Sequence, residues 1–178
     1  MNSDALFLML GEAHRQSGHT DYVIIGSLSV LGMTDVADIP QDMTMSIDVD
    51  TYTRADPGRI FDLLPSLGEG SPFHRAHGIY LDAVSPRLPT LPARWEDRLV
   101  RVERDGVRAW FLEPNDAAIS KLARGEPRDR RWVDAGIRSG LVSVPTVRLR
   151  MRDTDFLDDQ EQRQALASLE AVVSAGAR

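Results

Sequence analysis

Two aspartates one residue apart, Asp48 and Asp50, carry the first chemistry legible in this chain. They lie in the alternating run Met45-Ser46-Ile47-Asp48-Val49-Asp50, so a strand there sends both carboxylates to one face and Ile47 and Val49 to the other. Two residues along a strand span about 7 Å. At that spacing the carboxylates can share divalent cations, and a pair of ions about 3.5–4 Å apart needs bridging carboxylates of this kind. Upstream, Tyr22-Val23-Ile24-Ile25 is a short apolar, β-branched run that ends on Gly26-Ser27. A helix opening at Ser27 would offer backbone N–H groups and a hydroxyl to a phosphate. Downstream, Lys121 is the only lysine among 21 basic residues. A compact ammonium serves a phosphate or a reacting centre in a way that the planar guanidinium does not replace. Lys121 shares a helix face with Arg124 at i, i+3, and Arg128, Arg130 and Arg131 follow it.

A Gly-Ser turn followed by an Asp-x-Asp strand resembles the DNA polymerase β-like nucleotidyltransferase superfamily. The later block from Asp116 through Lys121, Arg124 and Arg128 to Asp129 resembles the lysine-bearing helix of its AbiEii-type branch, which includes toxins of bacterial toxin–antitoxin and abortive-infection systems. The resemblance spans roughly residues 20–140. It implies a Mg²⁺-dependent (or Mn²⁺-dependent) enzyme that moves an NMP from an NTP to an RNA or protein acceptor hydroxyl, with an antitoxin as a possible partner. Asp48 and Asp50 are then metal ligands. Asp82, in Tyr80-Leu81-Asp82-Ala83-Val84, becomes the third ligand and the general base. Gly26, Ser27, Lys121, Arg124 and Arg128 become nucleotide contacts, with Lys121 also catalytic. One departure stands out. The span 28–47 carries no basic residue and is acidic at Asp35, Asp38 and Asp42, where members of the superfamily commonly carry a cation. This supports an alternative reading, a catalytically weakened nucleotide-binding or protein-interaction module on the same scaffold.

The elements that must position these groups follow from the pattern along the chain. Ser3 to about Gln16 reads as a helix with an apolar stripe, capped by Ser3 and ended by Gly18. Strands are expected at 22–25, 44–50 and 79–84, with a polar loop at 33–43. A helix is expected to open at Asp56-Pro57 and run through Leu64, and a flexible loop fills 68–78. Arg104-Asp105-Gly106 is the turn of a hairpin between 99–102 and 107–112. Beyond it, helices are expected from Asn115 to Arg124, from Pro127 to Arg138, a short one near Pro145, and one over 158–174. The order predicts an α+β protein: a mixed β-sheet nucleotidyltransferase core over 1–112 with helices on one side, and a helical C-terminal lobe over 113–178 that carries the lysine motif.

Composition bounds the rest. The 178 residues are 42% hydrophobic and 27% charged, enough for a substantial core. There is no cysteine, which excludes disulfides and thiolate metal sites and suits a reducing cytoplasm. No apolar run approaches 18 residues and no basic segment precedes Leu6-Phe7-Leu8-Met9-Leu10, so neither a membrane span nor a signal peptide is expected. A formal net charge of −6 argues against a broad nucleic-acid-binding surface. His74 and His77 have metal-pair spacing, but the Gly/Pro-rich setting favours a loop, and no serine lies in a Gly-x-Ser-x-Gly elbow.

Overall fold

Residues 1–176 are described by a computed structural model. Five strands, β1 (Asp21–Ile24), β2 (Asp48–Thr53), β3 (Tyr80–Ala83), β4 (Val100–Arg104) and β5 (Val107–Phe111), form one sheet in the order β3-β2-β1-β5-β4. It is mixed: β1 runs antiparallel to β2 and parallel to β5, β2 and β3 are parallel, and β4 and β5 are antiparallel. The β4–β5 hairpin closes on Asp105-Gly106, both at positive φ (51° and 79°), the pairing that a two-residue turn of matching twist requires.

The first helix, α1 (Ser3–Ser17), buries Leu6, Phe7, Met9, Leu10 and Ala13. Asn2, rather than Ser3, caps it by accepting from the Ala5 N–H, and Gly18 ends it at φ 74°. The Ser17 hydroxyl lies 3.1 Å from that of Tyr22, which places Tyr22 on the face of β1 that α1 covers. Register then decides which side the chemistry faces. Tyr22 pairs with Thr53, and Ile24 with Thr51, so Thr51 and Thr53 share that face while Asp48, Asp50 and Tyr52 face the other way.

Connections in the first half are tighter than the sequence pattern suggested. The segment after β1 is a 3₁₀ helix, Ser27–Gly32, and the expected polar loop contains a short helix, α2 (Gln41–Thr44). Strand β2 therefore starts at Asp48 instead of 44, and Ile47, expected to share a strand face with Val49, precedes the strand and is 49% exposed. The Asp56-Pro57 start holds, but the helix is 3₁₀ over Pro57–Leu63 before a single α turn, α3 (Leu64–Leu67). The expected loop at 68–78 contains α4 (Pro72–His77). Ser71 caps it, Pro72 sits where no N–H is needed, and Gly78 closes it at φ 70°.

Helices follow the sheet: α5 (Pro114–Arg124), α6 (Pro127–Arg138), α7 (Val144–Arg150) and α8 (Asp159–Gly176). The expected mixed sheet with helices and a helical C-terminal region is thus the architecture found. Glu113, not Asn115, caps α5, accepting from the N–H groups of Asn115 and Asp116. Asn115 instead accepts from the Ser143 N–H at 2.7 Å and ties α5 to the start of α7. Asp116, fully buried, accepts from Arg98 at 2.7 Å and from Arg150 at 2.8 Å. That ion cluster joins α5, α7 and the segment ahead of β4. No helix among the described residues is long and apolar enough to cross a membrane.

Candidate active site

Asp48, Asp50 and Asp82 come together on the sheet face opposite α1. Asp50 and Asp82 are register partners across the parallel β2–β3 pair, and Asp48 precedes Asp50 by one full pleat. One carboxylate oxygen from each lies within 4.8 Å of the other two, the only such cluster among the described residues. Asp48 and Asp50 are half-buried and Asp82 is exposed, so the trio opens to solvent on the β3 side. Burial, reinforced by the neighbouring charges of Asp48 and Asp82, pushes the Asp50 carboxyl up to about 6, against the opposing pull of Lys121 and Arg124. Asp82 is raised by burial and by the charges of Asp48 and Glu69.

The Gly26-Ser27 turn lies against this cluster. The Ile25 N–H donates to the Asp50 carbonyl at 3.1 Å, which sets the end of β1 beside Asp50. A Cβ placed on Gly26 would stand 1.5 Å from Asp50 Oδ2. Only glycine lets the carboxylate occupy this space. The Ser46 hydroxyl donates to Asp48 Oδ1.

Lys121 reaches the same turn from α5. Its ammonium is buried at 4% exposure and donates to Ser27 Oγ at 2.9 Å and to Asp129 Oδ1 at 3.4 Å. Arg124 grips Asp129 with two bonds, 2.7 and 2.6 Å. Burial pushes the Lys121 ammonium down, with Asp129 opposing. Burial works to raise Asp129, but the Arg124 hydrogen bonds and the Lys121 charge hold it low. The expected phosphate cations are therefore partly neutralised within the fold, two positive groups against one carboxylate. Arg128 lies beyond the Gly125 reversal, exposed, in the first turn of α6.

Several contributors were given no individual role by sequence reasoning. Asp129 follows the Gly125 stop, and its signal was the break that folds α6 back against α5. Trp132 donates its indole N–H to the carbonyls of Ser27 (3.1 Å) and Met43 (3.2 Å), and Lys121 Nζ lies 4.9 Å from its ring centre. Asp116, the other end of the lysine block, points away from Lys121. Five residues on a helix subtend about 140°, and Asp116 spends its charge on Arg98 and Arg150.

Beside Gly26 and Asp50 lies a cavity of about 330 Å³. Ile25, Val84, Leu88, Pro89 and Ala117 give it apolar walls, and Lys121, Arg124 and Glu161 stand at its polar side. Thr90 donates to Glu161 at 2.9 Å, which ties the 85–92 segment to α8.

A mixed sheet that carries three clustered carboxylates beside a Gly-Ser turn, with a cavity next to them, defines a nucleotidyltransferase-like domain. The chain belongs to the family described as a nucleotidyltransferase of unknown function (DUF6036), whose family model matches residues 4–173. No curated protein and no solved structure matches it.

Three carboxylates with nothing but oxygen donors fit a hard divalent cation such as Mg²⁺, Mn²⁺ or Ca²⁺. Burial first, and then the charges of Asp48 and Asp82, raise the Asp50 carboxyl, a cost that a bound cation or a proton would relieve.

Proposed function

We propose that this chain is a Mg²⁺-dependent nucleotidyltransferase that transfers an NMP from an NTP to an acceptor hydroxyl, with Asp48, Asp50 and Asp82 as the metal-holding set. The convergence of these three side chains from adjacent strands onto one point beside Gly26 carries the reading. A cation bound there would polarise the α-phosphate and offset the charge that develops on it. Asp82, the exposed member, faces the side an acceptor would approach, and its raised carboxyl suits it to take the proton from the acceptor hydroxyl. The acceptor oxygen forms its bond to the α-phosphorus, the bond from the α-phosphorus to the β-bridging oxygen breaks, and pyrophosphate leaves. Gly26 and Ser27 seat the phosphates. Lys121 orients the Ser27 hydroxyl, and Lys121 and Arg124 together leave one net positive charge after Asp129 is counted. The apolar cavity takes the nucleoside. On the resemblance of the Asp116–Lys121 block, the acceptor is RNA or protein, and the setting is a toxin–antitoxin or phage-defence pair in the cytoplasm.

The test is pyrophosphate release with each NTP and Mg²⁺. We expect Asp48→Ala and Asp50→Ala to abolish turnover while the fold persists, because removing either carboxylate relieves like-charge repulsion within the cluster. Turnover that survives either substitution would remove these residues from the active site. A second reading, a nucleotide-binding module without turnover, draws on the Asp129 pairing that holds Lys121 and Arg124. Metal-dependent ATP or GTP binding in calorimetry without pyrophosphate release would favour it.

A further inference from the structure

Arg128 and Arg131 stand three residues apart on α6, so both project from one side of that helix. Both are exposed, and neither makes an ion pair or a side-chain hydrogen bond among the described residues. Lys121 and Arg124 differ in this respect, both being engaged by Asp129. With Ser27, Ser46, Asp42 and Trp132, the two arginines line a cleft of about 210 Å³. The cleft meets the Gly-Ser turn at Ser27, whereas the larger apolar cavity meets it at Gly26.

The cleft is built from held parts. The Trp132 indole N–H, shared between the carbonyls of Ser27 and Met43, pins α6 to the turn and to α2. Gly136, one turn on, packs so closely that a Cβ there would stand 2.6 Å from Val142 and 3.2 Å from Met43. Its two hydroxyls connect it to the chemistry, since Ser46 donates to Asp48 and Ser27 accepts from Lys121. Asp42 opposes an anion, and two arginines against it leave the cleft one charge positive. Unpaired guanidinium forks match phosphate oxygens two at a time.

We propose that this cleft seats the β- and γ-phosphates of the nucleotide, with Arg128 and Arg131 as their principal cations, while the apolar cavity on the Gly26 side holds the nucleoside. The proposal rests on the nucleotidyltransferase reading and supplies the positive charge that the span 28–47 lacks. It makes Arg131 a binding residue and leaves Lys121 the task of positioning Ser27.

Calorimetric titration of the full chain with inorganic tripolyphosphate, in Mg²⁺ buffer at low salt, needs no turnover. Arg128→Gln combined with Arg131→Gln should weaken binding roughly tenfold or more, as expected for losing charge-assisted hydrogen bonds. Arg130→Gln, exposed on the same helix but outside the cleft, should bind like the wild type. Equal binding by the wild type and the double variant, or none by either, would overturn the cleft whatever the turnover assay shows. Arginine-dependent binding with no pyrophosphate release from any NTP would keep the cleft and remove the transferase reading. A short oligoribonucleotide that depends on the two arginines while tripolyphosphate does not would transfer the cleft to the acceptor and overturn the assignment to the nucleotide tail.

Discussion

Asp50 occupies its place because Gly26 has no side chain. Its Oδ2 fills the space where a Cβ would project, so the turn residue and the carboxylate form one steric unit. The positions of Ser27 and Asp48 are bought by hydrogen bonds instead, from Lys121 and Ser46. This sets up a sharp residue-scale expectation. Gly26→Ala must push the Asp50 side chain off the cluster or shift the turn, at a cost of about 1–3 kcal/mol for overpacking. Mn²⁺ affinity and pyrophosphate release should both fall by more than the stability loss alone explains. A variant with a wild-type Mn²⁺ affinity would show that the Gly26–Asp50 contact does not govern the site.

At the scale of elements, α5 has two jobs divided between its sides. Lys121 and Arg124 face the turn, while Asp116 anchors the helix to Arg98 and Arg150. Asp116 is wholly buried and its two partners are largely so, and burial raises its carboxyl despite them. Asp116→Asn would take from Arg98 the one carboxylate it pairs with and leave Arg150 with Glu113 alone, an expected loss of about 2–3 kcal/mol. A denaturant melt should show that loss. The Lys121–Ser27 end lies on the other side of the helix, so the KM for nucleotide should stay within a few-fold of wild type at temperatures where the variant is folded. A collapse of KM without loss of stability would place Asp116 in the site after all.

For the molecule as a whole, the clustered carboxylates link stability to pH and metal. Asp50 titrates at about 6 in the folded chain and near its ordinary value of 3.8 when unfolded. Between these values the folded state binds more protons, so stability falls as pH rises through about 4 to 6, and the penalty is fully present above 6. On the proposed function, a divalent cation held by the cluster would replace the proton as the source of relief and would bind the folded state selectively. In EDTA this contribution should therefore lower Tm from pH 5 to pH 7. Millimolar Mg²⁺ should raise Tm more at pH 7 than at pH 5. Equal metal-induced shifts at the two pH values would mean that the carboxylate cluster is not where the ion binds.

Much of this arrangement was readable from local pattern. Alternation around Asp48 and Asp50 put both on one strand face, the apolar run before Gly26 marked β1, and Asp105-Gly106 marked the hairpin, because strand period and turn conformation depend on neighbours in sequence. The start of β2 was misplaced, since strand limits depend on pairing, and the first residue of β2 with a partner is Asp48, opposite Tyr80. The helix at 72–77 was hidden among glycines and prolines that were in fact its cap signals. What the tertiary structure alone decided was which distant groups meet. Asp82 lies beside Asp50 through the parallel register of β2 and β3, and Asp129 closes on Lys121 and Arg124 through the reversal at Gly125. Trp132 reaches back more than a hundred residues to hold Ser27. Such contacts arise from packing between elements, whose free energy is shared across the core and leaves no periodic trace along the chain.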